Sequence, residues 1–519
     1  MPAEKVELAD LRPLRQEVKP TQWGVAAPCS SETFKTRSNK SKPLARDWTD
    51  RLSHESASRT GSSLKGAFKH LQNPNIISLG GGLPLSEYFP FDKVGFVNPQ
   101  VANGQVTEKK LESYAGKHDL RNGQSVFDLS VALNYGQGSG SAQLLRWITE
   151  HVEIVHNPRY ADWQCTMSIG NTSAWDMVLR MFTKAGDVVL SDAYTFSSAT
   201  ETASPFGVKF VGVEMDDQGI RPDSLRHILN TWDPAEHGGS PKPFLYYAIP
   251  TGQNPTGSTQ STERRKEIYR VAQEHDLLIC EDDPYYFLQM DQFDPSSKPN
   301  DTTTNKPSAA DLVKMIVPSF LALDTDGRVI RMDSFSKVIS PGLRVGWVTA
   351  PEQIIERYKK HADVSTQSPS GLSQIALFKL LDEQWGHAGF FDWLLHLRTE
   401  YTQRRDVAAH ACERHLPKSL LSWSVPEAGM FLWVKLDWEK HPQAAGKTAT
   451  EVEELVWHDV LAEGALVARG SWFTAAPSKT ANEVFFRITF AAAPLDKVEE
   501  AIRRWGEALR KSFNIQSEI

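Results

Sequence analysis

The sequence predicts an α/β fold in which a mostly parallel sheet is covered by helices. From residue 164 onward, short apolar runs alternate with segments of helical spacing, which is typical of a parallel sheet buried on both faces. The runs are 165–169, 188–190, 208–213, 244–249, 277–280, 329–332 and 345–348. Polar loops follow several of these runs, and ligands of such folds bind at the carboxyl ends of the strands. We therefore expect the functional residues on these loops.

The chain has 519 residues, of which 40% are hydrophobic and 23% are charged, and its formal net charge is −7. This length exceeds one hydrophobic core, so at least two domains are expected. The negative charge argues against nucleic acid or an anionic membrane as a partner. No run reaches the roughly 20 apolar residues of a membrane span, and acidic residues near the N-terminus argue against a mitochondrial presequence. The four cysteines lack metal-site spacing, so we expect no metal and a reducing compartment, the cytoplasm.

Three polar stretches have little to bury. Residues 1–60 predict an N-terminal arm that is flexible in part. Residues 100–125 predict a surface insertion, and residues 291–310 predict a flexible excursion.

Between these stretches, the chain divides into domains. Residues 61–125 are expected to form the N-terminal part of a small domain together with the insertion. Residues 126–385 carry the alternating pattern of a large domain. Residues 386–519 begin with a long helical pattern and continue as an α+β segment that completes the small domain.

One loop combines hydroxyl groups, a lysine and an arginine. After the apolar run 329–332, the chain contains Ser334, Ser336 and Lys337, then a Pro-Gly break and Arg344. Two hydroxyls and a guanidinium can bind a phosphate, the guanidinium in bidentate fashion, and a lysine can form a Schiff base with an aldehyde. These residues favour a phosphorylated aldehyde cofactor. The alternative is that Lys337 is a solvated surface lysine.

Asn171 and Thr172 lie in a turn between the strand 165–169 and a helix predicted over 174–182. Free N–H groups and the positive end of the helix dipole meet in such a turn, so it can bind an anion. Many turns of this kind bind nothing, which is the alternative.

Polar residues also follow two further strands. Asn254 follows the run 244–249, and Asp282 and Tyr285 follow the run 277–280. A carboxylate can keep a pyridine nitrogen protonated, which makes the ring a better electron sink, and Asn254 and Tyr285 can donate to an oxygen on the same ring. The alternatives are a helix cap or surface acid at Asp282 and a turn-forming asparagine at Asn254.

Arg487 lies inside the apolar strand pattern 484–490. A buried charge is unfavourable unless it is paired, so the sequence predicts a partner, which is either a structural acid or a substrate carboxylate. The ring of Phe196 could stack on a cofactor or pack in the core. Gly82 lies in a glycine-rich loop that either lines a ligand or forms a structural turn, and Tyr135 opens a second such loop.

Taken together, these motifs resemble the fold type I, pyridoxal-phosphate-dependent aminotransferases, the aspartate aminotransferase superfamily. The resemblance covers roughly residues 70 to 515. It rests on Asn-Pro-Thr-Gly, Glu-Asp-Asp-Pro-Tyr-Tyr, Ser-Phe-Ser-Lys with a later arginine, and the strand arginine. The stretches Ser-Leu-Gly-Gly-Gly-Leu-Pro and Asp-Asp-Pro-Tyr-Tyr-Phe-Leu are similar to the kynurenine/2-aminoadipate branch, and the polar insertions and long arm resemble its fungal aromatic amino acid aminotransferases. The implied fold is a three-layer αβα large domain with a smaller α+β domain.

The resemblance implies a role in pyridoxal 5′-phosphate binding for most of the motif residues. Lys337 carries the internal aldimine and then transfers protons, and Asp282 pairs with the pyridine nitrogen. Asn254 and Tyr285 bind the 3-oxygen of the ring. The residues implied to bind the phosphate are Ser334, Ser336, Arg344, Asn171 and Thr172.

Other residues are implied to bind the substrate or to complete the site. Arg487 binds the substrate α-carboxylate together with Asn254, and Gly82 belongs to the substrate loop. Phe196 stacks on the cofactor ring. Tyr135 reaches the phosphate of a neighbouring subunit, so a homodimer with shared active sites is implied.

The sequence departs from the pattern of this branch at two places. A turn that is often Ser-Gln-Gln-Gly is here Asn-Thr-Ser-Ala at 171–174, and the stacking aromatic, usually tyrosine, falls on Phe196, with Tyr194 as a near alternative. Lys65 stands near where relatives place a basic residue over the substrate side chain.

The resemblance implies ping-pong transamination. Its substrates would be phenylalanine, tyrosine and tryptophan, with 2-aminoadipate and kynurenine as further possibilities, and a 2-oxo acid such as 2-oxoglutarate as acceptor. A lyase or decarboxylase with the same cofactor is an alternative. A transcription regulator of this fold would need a basic helix-turn-helix ahead of it, which residues 1–70 do not suggest. A catalytically inactive homologue is the third alternative, and the retained lysine, aspartate and arginines argue against it.

Overall fold

The computed structural model describes residues 15, 23–37, 39, 41–73, 75–296, 307–475 and 482–515. Residues 1–14, 16–22, 38 and 40 of the predicted arm and residues 297–306 of the predicted excursion lie outside these residues. The chain forms two compact units. The first comprises residues 1–184, 278–284 and 306–396, and the second comprises residues 185–277, 285–305 and 397–519. The domain boundaries drawn from the sequence stay predictions.

The strands of the described residues lie between residues 93 and 489. The strands are β1 Lys93–Ala102, β2 Gln105–Gly116, β3 Trp163–Ser168, β4 Val188–Asp192, β5 Lys209–Val213, β6 Met215–Asp216, β7 Gly219–Ile220, β8 Leu245–Ala248, β9 Leu278–Asp282, β10 Val329–Ser334, β11 Gly346–Pro351, β12 Leu421–Trp423, β13 Phe431–Leu436, β14 Ala468–Arg469 and β15 Val484–Thr489.

Helices separate most of these strands. The α-helices are α1 His54–Ser58, α2 Ser63–Ala67, α3 Leu129–Ala132, α4 Ala142–Val155, α5 Asn171–Phe182, α6 Ser197–Ala203, α7 Pro222–Asn230, α8 Thr262–Glu274, α9 Ala309–Met315, α10 Phe320–Leu323, α11 Glu352–Ala362, α12 Gly371–Phe378, α13 Gly386–His415, α14 Ala449–Ala462 and α15 Leu495–Ser512. A π-helix spans Lys379–Trp385.

The main sheet has seven strands in the order β3-β11-β10-β9-β8-β4-β5 and is mostly parallel, which confirms the predicted fold class. The seven apolar runs of the sequence correspond to these seven strands. Strand β11 runs antiparallel to β10 and β3. The loop between β10 and β11 contains a short 3-10 turn and no crossover helix, and a strand that returns without a crossover must be antiparallel.

In the first unit, helix α5 begins at Asn171, earlier than the predicted start at residue 174. Gly170 caps it with φ 98°, a conformation that favours glycine. The polar residues of the predicted turn therefore form the first turn of the helix itself, where backbone N–H groups lack intrahelical partners.

In the second unit, strands β12-β13-β15-β14 form a four-stranded antiparallel sheet. Its apolar face packs against helices that carry Val452, Val456, Ile502 and Trp505. The predicted alternation of strands and helices near the C-terminus is confirmed, and this core fixes the position of β15, the strand that carries Arg487.

The structure differs from the sequence prediction at 100–125. The polar insertion expected there is largely a long antiparallel hairpin of β1 and β2. Over residues 93–98 of β1, Val94, Phe96 and Asn98 are partly buried while the residues between them are exposed. The predicted insertion began at residue 100 and left out most of this strand, and β2 carries polar side chains on both faces.

None of the helices within the described residues is long and apolar enough to cross a membrane. All four cysteines are free thiols.

Candidate active site

In the first unit, aromatic side chains hold the loop that carries Lys337, residues 335–345 (the lysine loop). Phe335 is fully buried, with its ring 5.0 Å from that of Trp347 and 6.1 Å from that of Trp147. Trp393 Nε1 donates to the carbonyl oxygen of Val338 at 2.6 Å. Both anchors flank Lys337, which is half-buried.

The hydroxyls of this loop contact each other and Arg344. Ser334 Oγ donates to Ser336 Oγ at 2.9 Å, and Arg344 Nη1 donates to Ser336 Oγ at 3.3 Å. Arg344 adopts the left-handed conformation, φ 52°, and its Nη1 also donates to the carbonyl oxygen of Pro341 at 3.0 Å. The structure therefore brings together three of the residues predicted to bind phosphate.

The same guanidinium lies at the N-terminus of α5. Arg344 Nη2 donates to the carbonyl oxygen of Ile169 at 3.2 Å, and a Cβ on Gly170 would lie 2.2 Å from Nη2. A cation at the positive end of a helix dipole is unfavourable unless an anion offsets it. Hydroxyls, guanidinium and helix N-terminus together fit a phosphate group. Thr172, in the first turn, is exposed.

Asp282 ends strand β9, as the sequence predicts, and is 6% exposed. Asn171 Nδ2 donates to Asp282 Oδ1 at 2.7 Å and to the carbonyl oxygen of Met332 at 2.8 Å. The side chain expected at the phosphate is thus hydrogen-bonded to the carboxylate expected at the pyridine nitrogen.

A buried ion cluster underlies these strand ends. The guanidinium of Arg331 is 0% exposed and contacts Asp333 at 2.7 Å, Glu281 at 3.0 Å and Asp283 at 3.5 Å. Burial raises the pKa of Asp333 to about 6, although Arg331 opposes the shift. This cluster was not predicted from the sequence. The signal that singled out Arg487, a charge inside an apolar strand, was also present at Arg331.

In the second unit, Arg487 lies on β15 and donates from Nη1 to Asn254 Oδ1 at 2.7 Å. Its guanidinium carbon lies 4.3 Å from the ring centre of Phe431 and 4.7 Å from that of Phe473. Burial lowers the pKa of Arg487, and the phenol of Tyr285 opposes the shift. Among the residues that the structure describes, no carboxylate forms an ion pair with Arg487. The described neighbours of Arg487 are therefore an amide and two rings rather than a structural acid, and the substrate carboxylate stays a prediction. Phe431 and Phe473 are additional candidate site residues.

Tyr285 belongs to the same group, because its ring lies 5.7 Å from that of Phe431, nearly perpendicular to it. Tyr194 packs against Trp433 and Phe485, with ring distances of 5.3 and 5.2 Å. Phe196 is half-buried at the N-cap of α6. Tyr194 therefore packs against two aromatic side chains of the second unit, and which of the two candidate rings stacks on the cofactor stays a prediction.

Three further candidate residues belong to the first unit: Tyr135 and Gly82 are exposed, and Lys65 is hydrogen-bonded to an aspartate. The side chain of Tyr135 is 61% exposed. Gly82 is exposed, and a Cβ there would meet no atom within 4 Å. Lys65 Nζ donates to Asp363 Oδ1 at 3.0 Å, which gives it a structural partner.

A family model described as aminotransferase class I and II matches residues 120–504. The chain belongs to this family and is an aminotransferase of class EC 2.6.1. Its cofactor is pyridoxal 5′-phosphate, as the family implies.

Several relatives are similar over nearly the whole chain. An aromatic amino acid aminotransferase of Schizosaccharomyces pombe is 44% identical over 484 residues, covering 90% of this chain and 98% of its own. The mitochondrial kynurenine/alpha-aminoadipate aminotransferase of Bos taurus is 33% identical over 85% of this chain and 93% of its own. The crystal structure of the aminotransferase Aro8 from Candida albicans superposes with a TM-score of 0.84 at 42% identity, covering 91% of this chain and 100% of the Aro8 chain. The resemblance to fungal aromatic amino acid aminotransferases is confirmed.

Proposed function

We propose that this aminotransferase acts on the aromatic amino acids phenylalanine, tyrosine and tryptophan, with a 2-oxo acid such as 2-oxoglutarate as acceptor. Kynurenine and 2-aminoadipate are further substrates within the proposal. The relative from S. pombe and the bovine relative, by their names, support this range. A hydrophobic pocket separates similar side chains by only about 1–3 kcal/mol, which favours a broad range.

The observation that carries the proposal is the environment of Arg487. Its guanidinium has two phenyl rings and an amide as neighbours and no carboxylate among the described residues. A carboxylate ligand would form the bidentate pair that guanidinium geometry favours. The rings of Phe431 and Phe473 offer apolar surface beside that pair. An amino acid with an aromatic side chain suits both features.

The residues of the first unit would hold the cofactor. Ser334, Ser336, Arg344 and the N-terminus of α5 would bind its phosphate, and Asp282 would hold a proton on the pyridine nitrogen. When bound, pyridoxal 5′-phosphate supplies an aldehyde that condenses with amines and a ring that accepts the electron pair left when the α-proton departs.

The amine of Lys337 would move the protons. In the first half of the reaction, Nζ removes the proton from Cα of the amino acid, and in the second half it returns one to the acceptor. Tyr285 and Asn254 would hold the ring oxygen, and Phe196 would lie against the ring face. Such a division of tasks is general acid–base catalysis by a positioned side chain.

The proposal includes a homodimer. The loop around Gly82 has apolar side chains that are almost fully exposed to solvent. Ile77 is 90% exposed, Leu79 is 95% exposed and Tyr88, in the same stretch, is 83% exposed. Exposed apolar patches of this kind mark interaction sites. A second copy of the chain would cover them, and Tyr135 would then reach the phosphate of the partner. The free thiols support a reducing compartment, such as the cytoplasm.

An absorbance scan of the purified protein tests the reaction. Adding phenylalanine without any oxo acid should convert the cofactor from its aldehyde to its amine form, and 2-oxoglutarate should restore it. Lys337→Ala should lose the visible band that depends on this lysine and should not turn over. A wild-type band that phenylalanine, tyrosine, tryptophan, kynurenine and 2-aminoadipate all leave unchanged would contradict the proposed substrates.

A further inference from the structure

We propose that Asn171 positions Asp282 and does not bind the cofactor phosphate with its side chain. The inference rests on the proposed function, because it concerns the carboxylate that faces the pyridine nitrogen. Asn171, the first residue of α5, therefore takes a positioning role in place of the phosphate-binding role that the family resemblance implies.

The hydrogen bonds of the Asn171 amide carry the proposal. Its Nδ2 donates to Asp282 Oδ1 at 2.7 Å and to the carbonyl oxygen of Met332 at 2.8 Å. An amide nitrogen has two N–H groups, so both are used. Neither remains for a phosphate oxygen.

The orientation of the amide follows from the same contacts. Exchanging its nitrogen and oxygen would place Oδ1 against a carboxylate oxygen and a carbonyl oxygen, which are both acceptors. In the observed orientation, Oδ1 is buried without a hydrogen-bond partner. A phosphate oxygen is also an acceptor, so Oδ1 cannot bind it.

The strand pairing explains why one side chain reaches both acceptors. Met332 on β10 lies directly opposite Asp282 on β9, in parallel register. Asn171 begins the helix that follows β3, and its amide connects the ends of these two strands. It therefore fixes the Asp282 carboxylate relative to β10, the strand that leads into the lysine loop.

The contact also bears on charge. A donor to a carboxylate favours its ionised form, and the positive end of α5 adds to this preference. An ionised Asp282 is the form that keeps a pyridine nitrogen protonated. Asn171 thus supports the electron-accepting state of the ring without touching the ring.

Binding of two cofactor analogues to the cofactor-free protein tests the assignment. Pyridoxal 5′-phosphate and pyridoxal differ only in the phosphate. We expect Asn171→Ala to weaken both by a similar factor, about tenfold or more, as for a lost hydrogen bond to a charged group. Thr172→Val is the matched control, and it should weaken only the phosphorylated form or neither. A loss in Asn171→Ala confined to the phosphorylated form would overturn the proposal.

A second measurement separates positioning from mere structural support. With cofactor labelled at the ring nitrogen with ¹⁵N, NMR reports its protonation. In Asn171→Ala the nitrogen should lose its proton at a pH lower by about one unit or more than in the wild type. Unchanged titration in a folded variant would overturn the proposal. A wild-type protein that binds neither analogue would instead contradict the proposed function.

Discussion

Arg331 is a single fully buried cation that contacts three carboxylates. Removing one partner of a buried ionic group leaves uncompensated charges, which typically costs about 3–5 kcal/mol. We expect Arg331→Met to lower the free energy of unfolding in urea by about that amount. Arg221→Met removes an exposed arginine paired with Asp223 and should change little. Equal stability of the two variants would show that the cluster contributes no net stabilisation.

Asp192 makes the stability of the protein depend on pH. Burial raises the pKa of Asp192 from 3.8 to about 7, while Gln253 and Tyr246 oppose the shift by hydrogen bonding. The folded state therefore holds a proton that the unfolded state releases, and stability falls as pH rises from about 4 to 7, by about 1.4 kcal/mol per pH unit. Asp192→Asn should remove this contribution. Denaturation curves at several pH values test it, with Asp223→Asn as an exposed control, and identical pH profiles for Asp192→Asn and the wild type would contradict it.

Arg487 should determine the affinity for the substrate carboxylate. Truncating one member of a charge-assisted pair at a site costs about 2–5 kcal/mol. Arg487→Ala should therefore lower kcat/KM for phenylalanine by about a hundredfold, while the cofactor band persists. Lys435→Ala removes a lysine from the adjacent strand, where it pairs with Glu483, and serves as control. An unchanged kcat/KM in Arg487→Ala would exclude the proposed role.

At the level of elements, the junction of β3 and α5 depends on Gly170. A methyl group there would meet Arg344 Nη2 at 2.2 Å, and φ is 98°. Gly170→Ala should displace Arg344 and weaken pyridoxal 5′-phosphate binding about tenfold or more. Gly186→Ala has nearly the same φ, 93°, with open space around it. That variant should lose about 1 kcal/mol of stability from backbone strain and keep its cofactor affinity. Equal affinity in both variants would show that the clash is relieved.

Sequence patterns predicted the elements of the main sheet, because its buried strands are short, continuous apolar runs that alternate with segments of helical spacing. The hairpin of β1 and β2 was not predicted, since β2 carries polar side chains on both faces. The start of α5 was placed too late because Asn, Thr and Ser favour turns and caps as readily as the first turn of a helix.

The candidate site was predictable where its residues are near each other in sequence. Ser334, Ser336 and Arg344 lie in one loop, and the structure brings them together. The rings beside Arg487 were not, because Phe431 lies on a different strand and Phe473 in a 3-10 turn. The contact of Phe431 with Arg487 depends on the register of β13 and β15, which the sequence does not specify.

For the whole molecule, the exposed loop around Leu79 predicts self-association. Leu79→Asp places a charge on a side chain that is 95% exposed in one chain. If a second copy covers it, the charge would be buried there, and sedimentation should show a dimer for the wild type and a shift to monomer for the variant. Leu466→Asp, at a 76% exposed leucine of the second unit, is the matched control. A wild-type monomer, or a Leu79→Asp variant that stays dimeric, would contradict the proposed interface.

Strand β9 ends with Glu281 and Asp282, and Asp283 follows directly, so three successive acids differ by at most one methylene. The pleat of the strand sends alternate side chains to opposite faces, so Glu281 and Asp283 contact Arg331 whereas Asp282 contacts Asn171. A comparison of sequences that slips by one position here would still match acid with acid. It would nevertheless exchange the carboxylate assigned to chemistry with one assigned to folding, so in this stretch an apparently conservative match can misidentify the functional residue.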